Sequence, residues 1–426
     1  MFNIFENWTL DSWRERPALQ QPKYPDINEY NEIQSELSKK AAIVKIEEIE
    51  SLKRQLSAAA NGEGFVIQAG DCAERFSDAN ELHLTARMQL LSEMAKFFEE
   101  RLGISRATII GRMAGQYFKP RSQDGEWVDG VYICPYRGDG INGFDSLQKS
   151  RIPDPRRLLL AYESAKKSLS YIEKILTQKS LELASDSFFI SHEALVLAYE
   201  QALVKRVDET ERGLFYAGSA HMLWVGERTR TIDGAHIEFL RGLSNPIGVK
   251  IGPDAKIADL INLAQLLNPN QEPGKLVFIT RLGREHVAQK LKPLLSEMIK
   301  TSFPLVWFVD PMHGNMRRLA NGIKTRHYDD IKEEIFQSIQ VFSELGQHLA
   351  GLHLEVTFEN ANECLGGPSE INESQLGSSY TSYCDPRLNY NQTLELVDYA
   401  SQLIAQTNFK VQLLSGSMQI ESSLIQ

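Results

Sequence analysis

Short apolar segments recur along most of the chain and alternate with longer segments of helical periodicity. Amphipathic stretches such as ELHLTARMQLLSEMAKFFEERL and ADLINLAQLLN lie between several of them. Strands that are apolar throughout and alternate with helices indicate a parallel sheet that is covered on both faces. Eight apolar segments can be counted: GFVIQAGD (64–71), ATIIGRMAG (107–115), SFFISHEA (187–194), LFYAGSAHM (214–222), NPIGVKIG (245–252), KLVFITRLG (275–283), PLVWFVDPM (304–312) and GLHLEVT (351–357).

Eight strand–helix units are the number that a closed barrel requires, so the pattern predicts an α/β fold of the (β/α)8 TIM barrel type. An open, doubly wound sheet is the alternative at the level of fold. That alternative is weakened, in its dinucleotide-binding form, because no GxGxxG turn follows the first apolar segment.

The chain before the first apolar segment has a different character. Residues 1–40 are expected to be irregular because PALQQPKYPD interrupts any helix, and residues 41–60 are expected to form a helix that stops at Asn61-Gly62. We therefore predict an N-terminal extension with a packed helix over 1–60 and the barrel over 61–426. Two long connections, 116–186 and 358–393, are expected to be functional loops of that barrel.

Polar and charged side chains follow or finish most of the apolar segments. In a barrel of parallel strands the carboxyl ends meet at one mouth, so residues that are far apart in the chain converge there. Six cations in this group suggest a substrate with several negative charges, because Arg and Lys bind phosphate and carboxylate groups. They are Arg112, Lys119, Arg121, Arg228, Lys250 and Arg281.

A second group at the same strand ends offers metal ligands. Cys72, His313, Glu355 and Asp385 supply one sulfur, one nitrogen and two carboxylate groups. Such a mixed set suits Mn²⁺, Fe²⁺, Co²⁺ or Zn²⁺ better than Mg²⁺ or Ca²⁺. The spacing lends no support, since the four residues lie on separate segments.

Each of these residues also has a purely structural interpretation. A lone Cys beside a strand is commonly a small buried hydrophobic residue, and a strand-end Arg or Lys is commonly solvated or paired. His221 and His236 are read equally well as structural histidines. Glu355 lies within an apolar strand and would need a partner if buried.

Composition narrows the classes of function. The formal net charge of the 426 residues is −10, with a pI of about 5.5, which argues against a general nucleic-acid binder. The N-terminus lacks the pattern of a signal peptide, and no run of 18 apolar residues exists, so we expect a cytoplasmic protein without a membrane span. Four scattered cysteines without a CxxC motif argue against a disulfide scaffold or a zinc ribbon.

A series of motifs resembles the class II 3-deoxy-D-arabino-heptulosonate 7-phosphate (DAHP) synthases. The matching segments run from about residue 15 to the end of the chain, in the order found in that family. They are QAGDCAERF, GRMAGQYFKPRS, RGDGINGFD, SHEALVLAYE, SAHMLWVGERTRTIDGAHIEFLRG, NPIGVKIGP, ITRLG, DPMHGN, IKTRHYDD, HLEVT, NECLGG and CDPRLN.

The resemblance implies a TIM-barrel enzyme that joins phosphoenolpyruvate to erythrose 4-phosphate in the first step of the shikimate pathway. It implies a divalent metal, Mn²⁺ or Co²⁺, as the cofactor, and a homo-oligomer, either a dimer or a tetramer. Carried over by motif, the metal ligands are Cys72, His313, Glu355 and Asp385. The phosphoenolpyruvate contacts are Arg112, Glu227, Arg228, Lys250 and Arg281, and the erythrose 4-phosphate contacts are Lys119, Arg121 and Ser122.

Catalytic roles follow from the same resemblance. Glu227 is expected to orient the attacking water, and Lys119 or His313 to protonate the new alkoxide. Only about 30 residues separate RRLLLAY from SHEALV, where longer members carry additional helices that help to form inhibitor sites. We therefore expect weak or absent feedback inhibition by aromatic amino acids, as in short forms that serve specialised aromatic pathways.

Two other functions remain open from the sequence. One is a related metal-dependent synthase that uses a different aldose, and the other is a catalytically inactive barrel that acts as a binding partner. Cys384 is next to the proposed ligand Asp385 and is therefore a candidate to lie near Cys72. A disulfide between Cys72 and Cys384 would remove Cys72 as a metal ligand and inactivate the enzyme reversibly.

Overall fold

The structure, a computed structural model, describes residues 8–128, 130–178, 181, 183–207 and 213–423, with only the backbone of 408–423. Eight parallel strands form a closed barrel in which each strand pairs with the next in the chain and the eighth pairs with the first. This confirms the predicted (β/α)8 barrel. The strands are β1 (Val66–Gly70), β2 (Thr108–Arg112), β3 (Phe188–Glu193), β4 (Met222–Val225), β5 (Ile247–Ile251), β6 (Leu276–Thr280), β7 (Leu305–Val309) and β8 (Gly351–Glu355).

Ten α-helices accompany these strands in the described part of the chain. Their lengths vary widely, and the shortest, after β3 and β4, have only six residues each. The helices are α1 (Ile27–Ser38), α2 (Ile46–Ala60), α3 (Glu81–Leu102), α4 (Arg156–Thr177), α5 (Leu197–Ala202), α6 (Ala235–Leu240), α7 (Ile257–Leu267), α8 (Val287–Lys300), α9 (Tyr328–Glu344) and α10 (Tyr390–Ser423). None of the described helices combines the length and the apolar character that crossing a bilayer requires.

Seven of the eight predicted strands are found where they were expected, and the fourth was placed wrongly. Leu214–Ala217 pairs antiparallel with Val204–Val207 in a separate hairpin, and the fourth barrel strand is the short segment Met222–Val225. The apolar run 214–222 therefore contains a hairpin strand and the turn that leads into the barrel strand. Because both segments are apolar, the pattern alone did not separate them.

The N-terminal region also differs from its prediction. Residues 27–38 of the stretch expected to be irregular form α1, which begins where the side chain of Asp26 accepts hydrogen bonds from the backbone N–H groups of Asn28 and Glu29. PALQQPKYPD itself contains no helix, and residues 1–7 lie outside the described part. The helix predicted over 41–60 begins later, at Ile46, and ends before Gly62, whose φ of +79° provides the stop.

The amino end of the barrel is closed by α2. Leu52, Leu56 and Ala59 of this helix are fully buried in one cluster with residues of six strands, including Val66 and Phe308. This apolar cluster seals the end opposite the mouth. The polar side chains that finish the strands are consequently concentrated at the carboxyl end.

Candidate active site

The register of three strands brings Arg112 and Glu355 together at the mouth. Gly70, the last residue of β1, lies beside Arg112 of β2 on one side and Glu355 of β8 on the other. A Cβ atom at Gly70 would stand 2.7 Å from the carbonyl oxygen of Arg112, so only glycine permits this approach. Arg112 therefore reaches across and donates a hydrogen bond of 2.8 Å from Nη2 to Glu355 Oε1.

Three of the four predicted metal ligands form one group. Single ligand atoms of His313, Glu355 and Asp385 all lie within 4.8 Å of one another. His313 Nδ1 is 2.7 Å from Asp310 Oδ2, and this contact leaves His313 Nε2 facing Glu355 Oε1 at 3.2 Å. A carboxylate that orients an imidazole in this way is common behind metal-binding histidines.

Cys72, the fourth predicted ligand, lies beside this group but is not within that distance of all three ligand atoms. The backbone N–H of Asp385 donates to Cys72 Sγ at 3.3 Å, and Ser382 Oγ is 3.1 Å from the same sulfur. Burial opposes ionisation of the thiol, but a hydrogen bond from Cys384 and the charge of Lys119 outweigh it and lower the pKa of Cys72 to about 6. Both cysteines are free thiols in the structure.

The donor set fits a borderline divalent cation. Glu355 is fully buried, and although burial opposes its ionisation, the charges of His313, Arg112 and Arg326 hold its pKa well below the usual range. The pKa of Asp385 is also lowered, because the charge of Lys119 outweighs its burial. Thiolate, imidazole and two ionised carboxylates are the species that Mn²⁺, Co²⁺ or Zn²⁺ would require.

A cavity of about 260 Å³, the inner cavity, opens beside this group. Eight of the predicted site residues line it. They are Arg112, Lys119, Glu227, Arg228, Lys250, Arg281, His313 and Asp385, and Gln116, Glu193 and Trp224 lie between them.

Polar contacts hold two cations of the inner cavity, Lys250 and Arg281. Lys250 Nζ contacts Asp310 Oδ2, and burial, only partly offset by this partner, lowers the pKa of Lys250 to about 7. Arg281 donates from Nη2 to the carbonyl oxygen of His313 at 2.6 Å, while its buried Nε has no partner within the described part of the chain. Such an unsatisfied donor is suited to an anionic ligand.

Two acidic residues in the inner cavity have different environments. Glu227 Oε2 accepts a 2.7 Å hydrogen bond from the backbone N–H of Gly252, which fixes it at the end of β5. Glu193 is buried, and its Oε1 has no partner among the described residues. Burial raises the pKa of Glu193 although neighbouring cations oppose the shift.

A larger cavity of about 1090 Å³, the outer cavity, adjoins the inner one and shares Lys119, Pro120, Arg228 and Asp385 with it. Arg121 and Ser122 line the outer cavity only. Ten residues of the sequence-based set are therefore divided between two adjoining spaces that share Lys119, Arg228 and Asp385, whereas Cys72 and Glu355 line neither cavity.

Two cations of the outer cavity escaped the sequence analysis. Arg318 and Lys324 lie on a short hairpin formed by Arg317–Arg318 and Lys324–Thr325, and Lys324 Nζ is 2.8 Å from Asp385 Oδ1. The sequence gives only a weak indication that these residues belong to the site. Lys324 lies in the family motif IKTRHYDD, and Arg318 belongs to the basic pair Arg317-Arg318. His221 and His236 are buried and hydrogen-bonded, to Ile190 N and Leu195 O, as structural histidines would be.

Two buried carboxylates fix the loops that carry site residues. Glu74 accepts hydrogen bonds from the backbone N–H groups of Ala114, Gly115 and Gln116 at 2.9–3.0 Å, in the loop that leads to Lys119. Glu334 accepts from the N–H groups of Leu282 and Gly283, directly after Arg281. The cations are thus positioned by side chains that do not themselves line the inner cavity.

Comparison with known proteins agrees with this architecture. The class-II DAHP synthetase family model matches residues 8–186 and 175–401. A phospho-2-dehydro-3-deoxyheptonate aldolase of Streptomyces coelicolor is 36% identical, over 92% of this chain and 96% of that protein. The phospho-2-dehydro-3-deoxyheptonate aldolase AroG of Mycolicibacterium smegmatis is also 36% identical, over 93% of this chain and 94% of that protein.

A solved structure supports the fold. The phospho-2-dehydro-3-deoxyheptonate aldolase of Francisella tularensis superposes with a TM-score of 0.55, covering 87% of this chain and 96% of that one, at 15% identity. At this identity the structural similarity supports the barrel fold alone. The match to the family model, in contrast, spans nearly all of the described residues. The chain belongs to the class-II DAHP synthetase family.

Proposed function

We propose that the protein is a DAHP synthase that condenses phosphoenolpyruvate with erythrose 4-phosphate and water, releasing phosphate. The observation that carries this proposal is the pair of adjoining cation-lined cavities, which share Lys119, Arg228 and Asp385, and of these Asp385 belongs to the group of ligand atoms that includes His313 and Glu355. Two anionic substrates need two such spaces with a shared boundary. Family membership gives the reaction, in the shikimate pathway.

Phosphoenolpyruvate is assigned to the inner cavity. Arg228, Lys250 and Arg281 are proposed to bind its phosphate, with Arg281 Nε, which has no partner among the described residues, as one donor, and Arg112 and Glu227 are proposed to complete its contacts. Erythrose 4-phosphate is assigned to the outer cavity, where Arg121 and Ser122 bind its phosphate and Lys119 lies toward the reacting end. Holding both substrates at this boundary lowers the entropic part of the barrier.

Cys72, His313, Glu355 and Asp385 are the residues that would hold a divalent metal, with Mn²⁺ or Co²⁺ preferred. When bound, such an ion supplies Lewis acidity toward the aldehyde group. The donor set described above fits an ion of this type.

In the first step the enol carbon of phosphoenolpyruvate forms a bond to the aldehyde carbon, and the aldehyde oxygen takes up a proton. Lys119 is the proposed donor, because His313 is already engaged by Asp310 and faces Glu355. Burial opposes protonation of Lys119, but the charges of Glu355 and Asp385 outweigh it and raise its pKa, so Lys119 is protonated at neutral pH.

In the second step water adds to the carbon that carries the phosphate ester, and inorganic phosphate leaves. Glu227, held by Gly252 N, is proposed to orient this water. The bond between this carbon and the phosphate-ester oxygen breaks, and the oxygen of water becomes the new carbonyl oxygen. Of the two protons of water, one leaves with the phosphate and the other restores Lys119.

The deciding experiment measures phosphate release and product mass when the purified protein is mixed with Mn²⁺ and phosphoenolpyruvate, together with either erythrose 4-phosphate or arabinose 5-phosphate. Release with the first aldose alone supports the proposal. A preference for arabinose 5-phosphate would identify a related synthase, and no release with either would indicate an inactive barrel. Glu227→Gln with wild-type turnover would remove the role given to Glu227.

Further expectations concern regulation and assembly. Between Ile152 and β3, the region where longer family members carry additional helices, the described residues contain one α-helix, α4. The proposed absence of strong feedback inhibition is tested by titrating Trp, Phe and Tyr into the assay. The homodimer or homotetramer, the cytoplasmic location and the role in a specialised aromatic pathway remain predictions, the first of which light scattering would test.

A further inference from the structure

Gln20, in the N-terminal segment outside the barrel, binds the backbone of Arg121 with both ends of its side-chain amide. Gln20 Oε1 accepts a 2.9 Å hydrogen bond from Arg121 N–H, and Gln20 Nε2 donates a 3.0 Å hydrogen bond to Arg121 O. A neighbouring β-strand would satisfy these two backbone groups in the same manner. The side chain thus fixes a residue 101 positions later in the chain.

A second contact extends this attachment to the rest of the loop. Arg137 donates from Nη2 to the backbone oxygen of Gln20 at 2.5 Å, and Lys119 N–H donates to Arg137 O at 2.9 Å. The segment from Lys119 to Arg121 is therefore connected to Gln20 at both of its ends.

The backbone of Gln20 is held in an unfavourable conformation. Its φ is +60°, in the left-handed region that residues other than glycine seldom occupy. Such strain persists where the surroundings fix the conformation, and it is concentrated at functional sites. Here the contacts with Arg121 and Arg137 are what fix it.

The side chain of Arg121 is oriented from its other side. Arg121 Nη2 donates to Glu126 Oε2 at 3.1 Å, and Arg121 and Glu126 both line the outer cavity. With its backbone held by Gln20 and its guanidinium by Glu126, Arg121 has a defined position in the wall of that cavity.

We propose that Gln20 is a positioning residue for the aldose-phosphate site, so that the N-terminal segment forms part of the active site. This inference rests on the proposed function, which assigns Arg121 and Ser122 to erythrose 4-phosphate. Gln20 is not among the residues that line either cavity. Its effect is transmitted through the backbone between Lys119 and Ser122.

Two variants separate the amide from the backbone strain. Gln20→Met keeps the length and the strained φ but removes both hydrogen bonds, and Gln20→Gly removes them while relieving the strain. In each we expect the KM for erythrose 4-phosphate to rise about tenfold, with the KM for phosphoenolpyruvate within about twofold of wild type. Steady-state phosphate release measures both constants.

Gln271 provides a matched control. It has a φ of +54° and is exposed in the loop before β6, at the amino end of the barrel. Gln271→Gly and Gln271→Met should alter neither KM, and melting temperatures of all four variants report any general destabilisation. Equal changes in both KM values, or unchanged constants in both Gln20 variants, would overturn the proposal.

Calorimetric binding of erythrose 4-phosphate distinguishes this inference from the proposed reaction. Wild-type protein that binds the aldose phosphate in calorimetry, but releases no phosphate in the assay with phosphoenolpyruvate and Mn²⁺, would refute the condensation. Weaker binding of the aldose phosphate by Gln20→Met would still support the positioning role in that case. Wild-type protein that binds no erythrose 4-phosphate would overturn both.

Discussion

The cationic side chains that line the inner cavity are held differently from those that line the outer cavity. Arg112 and Lys250 lie within strands, are almost completely buried, and contact the buried carboxylates Glu355 and Asp310. Arg121 and Arg318 lie on a loop and a short hairpin, and they are partly or largely exposed. Buried pairs are costly to break, whereas exposed cations contribute little individually. Single changes to the side chains of the wall should therefore have larger effects in the inner cavity than in the outer one.

Removal of the proposed divalent ion should have the largest effect, because its proposed ligand Asp385 lines both cavities and His313 lines the inner one. After chelation and dialysis we expect phosphate release to fall by at least about a thousandfold and to return with Mn²⁺ or Co²⁺. Metal analysis of the protein before and after chelation accompanies the assay. Full activity in metal-free protein would contradict the role of His313, Glu355 and Asp385.

Arg112→Lys tests the inner wall next. Lysine retains the charge but cannot bond Asp71 O and Glu355 at once, as Arg112 does with Nε and Nη2. We expect kcat/KM for phosphoenolpyruvate to fall about a hundredfold. The KM for erythrose 4-phosphate serves as the internal control. If kcat/KM falls less than tenfold while the melting temperature is unchanged, the inner wall tolerates substitution better than its burial suggests.

The pH dependence of phosphoenolpyruvate binding sharpens the comparison. Lys250, whose pKa in the free protein is about 7, is mostly neutral above that pH and must take up a proton when an anion binds. Above pH 7 the affinity should therefore fall about tenfold per pH unit, until the pKa of the bound state is reached. Calorimetry in buffers of different ionisation enthalpy measures the uptake, and Lys250→Arg, which stays charged, should give a flat profile above pH 7.

Arg318→Ala should have the smallest effect. The side chain donates to the carbonyl oxygen of Gly322 within its own exposed turn, and it is one of several cations around the outer cavity. We expect the KM for erythrose 4-phosphate to rise about threefold to fivefold, with kcat unchanged. A change as large as that of Arg112→Lys would remove the distinction between the two cavities.

Strand periodicity and strand-end chemistry account for what the sequence revealed. Arg112, Lys250 and Glu355 were found because parallel strands share their carboxyl ends, so a pattern read along the chain already implies convergence. The fourth strand was misplaced because the hairpin strand and the barrel strand are both apolar. α1 was missed because its start depends on Asp26, a capping residue that is itself the last residue of the proline-rich segment PALQQPKYPD.

The parts of the site that escaped prediction depend on tertiary contacts without a local signal. Arg318 and Lys324 reach the outer cavity only because a hairpin folds over the mouth. Gln20 forms its hydrogen bonds with the backbone N–H and C=O groups of Arg121. These groups occur in nearly every residue, so the sequence does not reveal which residue Gln20 contacts.

The seal formed by α2 has a consequence for the order in which the chain acquires its structure. Leu52 and Leu56 leave the ribosome long before β8, the strand whose pairing with β1 closes the cylinder at Gly351–Glu355. During that interval the apolar face of α2 has no complete surface to cover it. A chain of this design must protect that helix while roughly three hundred further residues are made.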